Sequence, residues 1–289
     1  MELPATGAPH SLPEAVAPAA GPLDDDTAFA SFRHYIYQVA GIRLSDNKKG
    51  MVFGRLAKRL RYHGLKSFAD YYRLVKSNTV PGEEQVLVDL LTTHETHFFR
   101  EPRHYEFLDR DILASHPRSL PFRFWSAACS SGEEAYSAAM LLAERLGNGP
   151  WEVVGTDIST QVLETAQAGH YPISRAEEIP EAMLKRYCLK GFGPQEGILA
   201  IRPDLRGRLR LKQANLTAPL PSLGWFDAIF LRNVLIYFDQ ETQQAVVSRV
   251  ISHLRPGGHL FLGHAESLNR LDFQLELRAP GIFRKPDSR

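Results

Sequence analysis

From about residue 101 onward, short apolar runs alternate with stretches of helical periodicity, and nothing else in the chain constrains its fold so tightly. The runs are Phe122–Ala127, Val153–Asp157, Leu209–Lys212, Phe226–Leu231 and Leu260–Gly263; the helical patterns between them are Ala135–Leu146, Thr160–Ala168 and Thr242–Leu254. Within each run the apolar residues are continuous rather than alternating, so both faces of each strand must be covered. Parallel strands flanked by helices satisfy that need, and an α/β, doubly wound unit is expected over 101–289. Two further runs, Phe273–Leu277 and Ile282–Lys285, are joined by Ala279-Pro280-Gly281 and read as a C-terminal antiparallel hairpin. Between Tyr187 and Leu211, Gly191, Gly193, Pro194 and Gly197 interrupt short alternating stretches, which implies a small β-rich insertion at about 187–211. Pro256-Gly257-Gly258 reads as a turn ahead of the fifth strand.

Residues 24–100 carry a different pattern, helical throughout and without a strand signal. Thr27 is placed to cap a helix bearing Phe29, Phe32, Tyr35, Ile36 and Val39 that ends at Gly41. A second helix is expected over Asp46–Tyr62 with Gly64 as its stop, a third over Phe68–Val75, and a fourth from Gly82 with Val86, Leu87, Leu90 and Leu91 on one face. Residues 1–23, with five prolines and six alanines, bury too little to offset their ordering entropy and are expected to be a disordered tail. Charge excludes some functions. With 34 Lys+Arg against 33 Asp+Glu, the chain is no polycation built for nonspecific nucleic-acid binding. Its two cysteines, Cys129 and Cys188, lie far apart and cannot make a four-ligand zinc site, so no metal is expected. No apolar run reaches the ~18 residues that span a bilayer, and the start lacks a signal-peptide pattern. A cytoplasmic protein without membrane insertion is the expectation.

The segment richest in chemistry runs from Phe124 to Ser137. A strand passes into five small residues, Ala127 to Ser131, then Gly132, then a helix opening with Glu133-Glu134. Small residues let a ligand approach the backbone at the carboxyl end of the strand, where doubly wound sheets bind cofactors. Only one glycine of the dinucleotide fingerprint is present, and two carboxylates at the helix start repel phosphate. A cofactor with hydroxyls, an amine and a positive centre fits better, and S-adenosylmethionine has all three. The plainer alternative is a tight turn with capping carboxylates. Asp157, ending the second run about 20 residues on, is placed to accept from ribose hydroxyls, or simply to cap the helix after Ser159. Asn215-Leu216 closes the third strand. Asn233, after the fourth, offers a donor and an acceptor in one amide, and Arg232 and Tyr237 share that sheet edge.

At these residues the chain resembles the CheR-type chemotaxis receptor methyltransferases, protein-glutamate O-methyltransferases that use S-adenosylmethionine. The matching strings are Leu91-Thr92-Thr93-His94-Glu95-Thr96-His97-Phe98-Phe99-Arg100-Glu101, Trp125 through Ser137, Phe226 through Asp239, and Gly263-His264-Ala265-Glu266-Ser267, and the likeness covers about residues 27–287. The resemblance implies a helical N-terminal domain (24–100) followed by a Rossmann-like methyltransferase domain (101–289) carrying the β-subdomain. It implies cofactor contacts at Thr96, Arg100, Glu134, Asp157, Asn215, Leu216, Asn233 and Val234, with Arg100 and Tyr237 nearest the transferred methyl. His94 stands where the family commonly has asparagine and can still hydrogen-bond, with one donor when neutral. The implied partner is the cytoplasmic helical bundle of a chemoreceptor. In some members a receptor C-terminal tether peptide docks on the β-subdomain, and Gly191 through Gly197 resembles those members.

Between Asn47 and Ala69 lie seven basic residues and no acidic one. Val52, Phe53, Leu56 and Leu60 form one arc of the helix. Lys48, Arg55, Lys58 and Arg61 fall largely opposite, with Arg59 and Lys66 nearby. A solvated basic face is the plain reading; an acidic partner is the functional one, and the resemblance favours a glutamate-rich bundle. Lys48, Arg55, Lys58, Arg59, Arg61 and Arg232 are therefore the candidate substrate contacts. A glutamate nucleophile, with pKa about 4.3, is ionised at pH 7 and needs no general base. Transfer to it by in-line displacement asks the protein to position and to exclude water. Two rivals remain. A nucleic-acid methyltransferase of the Asn/Asp-Pro-Pro-Tyr type is disfavoured because Asn233 is followed by Val234-Leu235, and a non-catalytic cofactor-binding adaptor is testable by calorimetry.

Overall fold

The structure is a computed structural model that describes residues 24–268 and 273–287; the expected tail over 1–23 lies outside the described residues. Four helices come first: α1 (Asp25–Ala40), α2 (Lys49–His63, led in by a 3-10 turn at Asp46–Lys48), α3 (Phe68–Ser77) and α4 (Glu83–Leu91). The residue capping α1 is Asp24, whose side chain accepts from Thr27 N at 2.8 Å, so Thr27 sits in the first turn instead of at the cap. Gly41 and Gly64 end α1 and α2 with φ of +69° and +65°, a region that costs glycine no Cβ clash. Phe32, Ile36, Leu56, Tyr71 and Leu87 from the four helices are fully buried together.

A short helix α5 (Pro102–Phe107) leads through a π-helical turn at Leu108–Leu113 into the sheet. The chain then runs β1 (Phe122–Ser126), α6 (Glu133–Leu146), β2 (Trp151–Asp157), α7 (Thr160–Ala168), β3 (His170–Pro172), α8 (Glu181–Tyr187), β4 (Cys188–Lys190) and β5 (Ile198–Ile201). It continues with α9 (Pro203–Arg206), β6 (Leu209–Gln213), β7 (Phe226–Leu231), α10 (Gln240–Ile251), β8 (Leu254–Leu262), β9 (Glu276–Ala279) and β10 (Ile282–Arg284). Seven strands make one sheet in the order β6-β2-β1-β7-β8-β10-β9, parallel except where β10 pairs antiparallel with β8 and β9. The C-terminal hairpin thus exists, and β10 inserts between β8 and β9. From β1 the chain builds outward through β2 to β6, then returns to β7 on the other side of β1. Such a reversal opens a crevice at the strands' carboxyl ends.

Two boundaries differ from the sequence expectation. The small sheet, ordered β3-β5-β4, recruits His170–Pro172 from well before 187, while Leu209–Gln213 belongs to the main sheet. His170–Pro172 is only three residues long with one side chain buried, too short to announce itself by periodicity. Pro256-Gly257-Gly258 lies inside β8 as an irregular stretch: Phe226 pairs with Leu254 but Ala228 with His259, so the extra residues bulge, with Gly257 at φ +76°. One buried cluster runs from Phe32 and Leu56 through Leu216 and Trp125 to Val246 and Leu260, so the N-terminal helices and α10 cover the same face of the sheet. The other face is sealed by α6 and by residues such as Tyr105, Tyr136 and Tyr171.

Candidate functional site

At the carboxyl ends of β6, β2, β1 and β7 lies a cavity of about 290 Å³, roofed by the segment that joins α4 to α5. That size is near the lower end of what holds one small organic cofactor, roughly 300–1,000 Å³. Sheet order sets out its lining in sequence. Asn215 and Leu216 follow β6, Asp157 ends β2, Ala127, Ala128 and Ser130 follow β1, and Arg232, Asn233 and Val234 follow β7. Apolar Met51, Leu91, Ile158 and Leu216 also contribute to the wall, and Thr96, Arg100, Glu134 and Tyr237 supply its polar groups. Every residue expected to contact a cofactor, His94 included, lines this one cavity.

Local geometry explains how. Of the five non-glycine residues with positive φ among the described residues, Ser130 (+47°) and Asn233 (+57°) line the cavity, and Phe99 (+52°) and Glu101 (+60°) flank the lining residue Arg100. Backbone strain of this kind is stored where a site needs it. Asp157 accepts from Ser130 N at 2.9 Å and Ser159 N at 3.0 Å, so its carboxylate ties the β1 loop to the start of α7. The cap of α7 is Ser159, whose Oγ accepts from Val162 N, so Asp157 braces the cap residue and still faces the cavity. Burial pushes its carboxyl up against the pull of those backbone hydrogen bonds. Asn215 is committed elsewhere. Its Nδ2 donates to Val39 O at 2.6 Å and its Oδ1 accepts from Thr217, so the side chain joins the end of α1 to the sheet and leaves the backbone to face a ligand. His94 Nε2 is 2.7 Å from Thr92 Oγ1. The cavity mouth is closed to the helical unit by Arg43 N donating to Tyr237 O at 2.9 Å and by Tyr37 OH donating to Asp239 at 2.7 Å.

Several expected substrate contacts are not where an incoming partner meets them. The Arg232 side chain is wholly buried. Its guanidinium sits 4.8 Å from the Phe230 ring centre, with Nε 3.3 Å from Glu134 Oε2 and 3.9 Å from Glu101 Oε2, and it donates to Arg100 O. It balances buried carboxylates instead of presenting charge at the mouth. Arg55 donates to Leu90 O and Thr92 O at 3.0 and 2.7 Å, closing the C-terminal end of α4. Arg59 binds both oxygens of Glu83, a buried carboxylate that also accepts from Tyr71. A long cation beside unpaired carbonyls or a buried anion folds back onto them, and helical periodicity is blind to that choice. Lys48, Lys58 and Arg61 remain exposed, and Lys48 lines the cavity.

Other residues organise the rim without having been singled out. Glu266 accepts from the backbone N–H groups of Asn233, Leu235 and Gly263 at 2.9, 2.7 and 2.7 Å and so shapes the turn after β7. Ser126 Oγ donates to Glu134 Oε1 at 2.6 Å. Glu101, His104 and His264 bring potential ligand atoms within 4.8 Å of one another, a grouping the sequence reading did not anticipate. Arg232 already supplies a fixed positive charge beside this group. Burial pushes His104 down to about 4, with the Arg232 cation acting in the same direction, so it is neutral at pH 7. Glu101 feels burial too, but Arg232 and hydrogen bonds from Asn233 and the His264 backbone hold it below the usual carboxylate range. The strings that carried the resemblance include Glu101, His264 and Glu266 without roles, and His104 lies outside them.

Comparison with known proteins agrees with this architecture. The profile described as "CheR methyltransferase, SAM binding domain" matches residues 94–279, and "CheR methyltransferase, all-alpha domain" matches 27–92. The chain belongs to the CheR methyltransferase family. The chemotaxis protein methyltransferase of Escherichia coli is 43% identical over 263 residues, covering 89% of this chain and 90% of that protein. That of Salmonella typhimurium is 41% identical over the same length with the same coverage, and chemotaxis protein methyltransferase 2 of Pseudomonas aeruginosa is 42% identical over 242 residues, 83% and 86% of the two chains. Among solved structures, the glycopeptide N-methyltransferase MtfA in complex with S-adenosyl-L-methionine overlaps 59% of this chain and 51% of its own at 19% identity and a TM-score of 0.35, too loosely to bear on the site. The cofactor of this CheR methyltransferase is S-adenosylmethionine. The residues present fit it: the buried carboxylates of Glu134 and Asp157 both line the cavity, with the small Ala127 and Ala128 between them leaving room, a donor set suited to a ligand with a cationic centre and hydroxyls.

Proposed function

We propose that the protein methylates glutamate side chains on the cytoplasmic helical bundles of chemoreceptors, forming glutamyl methyl esters. The observation that carries this reading is the composition of the cavity mouth. Arg43, Lys48 and Arg100 bring three cations to the cavity lining and Tyr237 a phenol. An anion that needs no general base suits such a mouth. When bound, S-adenosylmethionine supplies an electrophilic methyl group on a positively charged sulfur. Asp157 holds the ribose hydroxyls, and the backbone of Asn215 and Leu216 meets the adenine against Ile158. Thr96, Glu134, Asn233 and Val234 receive the amino-acid end. His94 supports the wall near Asp157. Arg100 and Tyr237 are the catalytic pair. Arg100 holds the incoming carboxylate, Tyr237 orients the attacking oxygen, and the roof excludes water.

The exposed cations of α2, Lys48, Lys58 and Arg61, grip the acidic receptor bundle, which sets its glutamates over the mouth. The β-subdomain is the docking place for a receptor tether peptide, supported by Leu189 and Phe192, exposed by 45% and 86%, next to the outer strand β4. The working division is a helical domain over 24–100 and a transferase domain over 101–289. The compartment is the cytoplasm, in keeping with the absence, among the described residues, of a helix long and apolar enough to cross a membrane. Incubation with methyl-labelled cofactor and receptor cytoplasmic domains tests the reading. Base-labile label on receptor glutamates supports it; label that is base-stable, or confined to nucleic acid or small molecules, overturns it.

A further inference from the structure

Asn233 carries both a donor and an acceptor in one planar amide, and a pocket that accepted either orientation would not discriminate between ligand groups. Here the orientation is dictated from behind. Its Nδ2 donates to Glu101 Oε1 at 3.2 Å. Glu101 is held as a carboxylate: Arg232 Nε lies 3.9 Å away, the His264 backbone N–H donates to it at 3.2 Å, and the neutral His104 ring sits 3.3 Å from its second oxygen. An ionised carboxylate accepts only, so the nitrogen end of the amide must face it. Gly263 closes the same side. A Cβ there would stand 2.6 Å from Asn233 Nδ2 and 2.9 Å from Glu266 Oε2, so the absence of a side chain is what lets the nitrogen tuck in. With the nitrogen engaged at the back, the carbonyl oxygen is the end left for the cavity.

We propose that Glu101 is a positioning residue, which fixes the Asn233 amide so that its carbonyl oxygen is offered to the α-ammonium group of the cofactor. This rests on the cofactor lying as described above, with its amino-acid end toward β7. Sheet order supports that direction, since the apolar wall of Ile158 and Leu216 belongs to the β2 and β6 side while Glu134 and Arg232 stand beside β7. The Glu101 backbone is itself at φ +60°, a conformation uncommon for a residue with a side chain, and its carboxylate is only 10% exposed.

Affinity for S-adenosylhomocysteine, measured by calorimetry with thermal stability recorded alongside, tests the proposal without reference to turnover. Glu101→Gln frees the amide to turn, and a loss of about tenfold is expected. Asn233→Asp alone sets two carboxylates together and loses as much or more. The double variant Glu101→Gln with Asn233→Asp restores a donor facing an acceptor, with an oxygen still toward the cavity, and should return to within about threefold of the parent. 5′-Methylthioadenosine, which has no ammonium group, should bind the parent and Glu101→Gln equally. Should Glu101→Gln fold poorly, Gly263→Ala displaces the same nitrogen and is expected to lose about tenfold for S-adenosylhomocysteine alone. Loss in Asn233→Ala with none in Glu101→Gln or Gly263→Ala overturns the positioning role and leaves the cofactor placement standing. No loss even in Asn233→Ala overturns the placement as well. A double variant no better than its worse single assigns Glu101 a merely structural part and also overturns the proposal.

Discussion

Arg59 and Lys58 are neighbours on α2, both basic, and the structure gives them opposite consequences. Glu83, at the start of α4, has a side chain only 3% exposed, and Arg59 donates to both of its oxygens while Tyr71 OH donates at 2.7 Å and His63 Nε2 lies 3.2 Å away. Removing one partner of a buried ion pair costs about 3–5 kcal/mol because the other charge is stranded. The Arg59 side chain is 22% exposed, so water reaches part of the vacated space and the loss falls at or somewhat below the bottom of that range. We expect Arg59→Met to lose about 2–3 kcal/mol, roughly 4–12 °C in melting temperature for a chain of this size, while Lys58→Met stays within about 0.5 kcal/mol. Urea unfolding followed by far-UV circular dichroism reads both. Arg59→Met combined with Glu83→Gln should regain at least half of the loss, since a neutral amide can still accept from Tyr71.

The pH dependence carries the same signature. Burial pushes Glu83 up, but hydrogen bonds from Arg59, Tyr71 and His63 outweigh it and hold the carboxyl below its usual range. Its contribution in the parent is therefore complete above the unfolded carboxyl pKa, about 4.3, and is lost as pH falls through the lower folded value. Without Arg59 the carboxyl prefers to be protonated, so the gap between parent and Arg59→Met should narrow from pH 7 toward pH 4. Equal stability of the Arg59→Met and Lys58→Met proteins at pH 7, or a gap that widens on acidification, refutes the reasoning.

Lys58→Glu with Arg61→Glu reverses two exposed charges on α2. We expect receptor methylation to fall at least tenfold with melting temperature and S-adenosylhomocysteine affinity unchanged; unchanged methylation would remove α2 from receptor recognition. Asp157→Asn weakens a charged acceptor at the ribose and should cost about 1.5–3 kcal/mol, roughly 10–150-fold in cofactor affinity by calorimetry; a change below threefold would reduce Asp157 to a tie between the β1 loop and the start of α7. Arg232→Met strands Glu134 and Glu101 and should destabilise the fold by about 3–5 kcal/mol in urea unfolding, with Arg232→Lys recovering part. Full stability with loss of methylation alone would restore Arg232 to the substrate-facing role that its burial denies.

The architecture was legible because its signals are periodic. Continuous apolar runs such as Phe226–Leu231 and the amphipathic Thr160–Ala168 coincide with β7 and α7, as burial on both faces of a strand or one face of a helix requires. The cavity was legible because the small residues after β1 and the acid ending β2 occur together at the separation a bound nucleoside needs, although each alone has a plain structural reading. What pattern could not supply was the destination of long polar side chains. Arg55, Arg59 and Arg232 each fold onto a carbonyl or carboxylate brought near by tertiary packing, across 35, 24 and 132 residues of sequence, respectively. Asn215 shows the same limit: sequence marks it as a cofactor contact and it lines the cavity, but pattern does not reveal that its amide staples Val39 O at the end of α1.

That sorting of cations has a functional logic. A pocket for a positively charged donor gains from nearby carboxylates, yet buried carboxylates left unbalanced would prefer to protonate: burial already pushes Glu134 up, opposed chiefly by Arg232. Placing one guanidinium behind the rim, fully buried, keeps Glu134 and Glu101 in usable charge states without offering a cation to the cavity mouth. The Arg100 guanidinium, by contrast, donates one hydrogen bond to Glu95 O at 2.8 Å and otherwise fronts the cavity, where it is free to meet an arriving anion. Under the proposed function, exchanging these two environments would defeat both tasks, since a buried Arg100 could not reach a receptor glutamate and an exposed Arg232 would let water weaken the field that the donor feels. On that reading the division of labour between the two cations is set by depth, and the depth of Arg232 is held by Phe230 and Tyr105, whose rings wall it in at 4.8 and 5.6 Å.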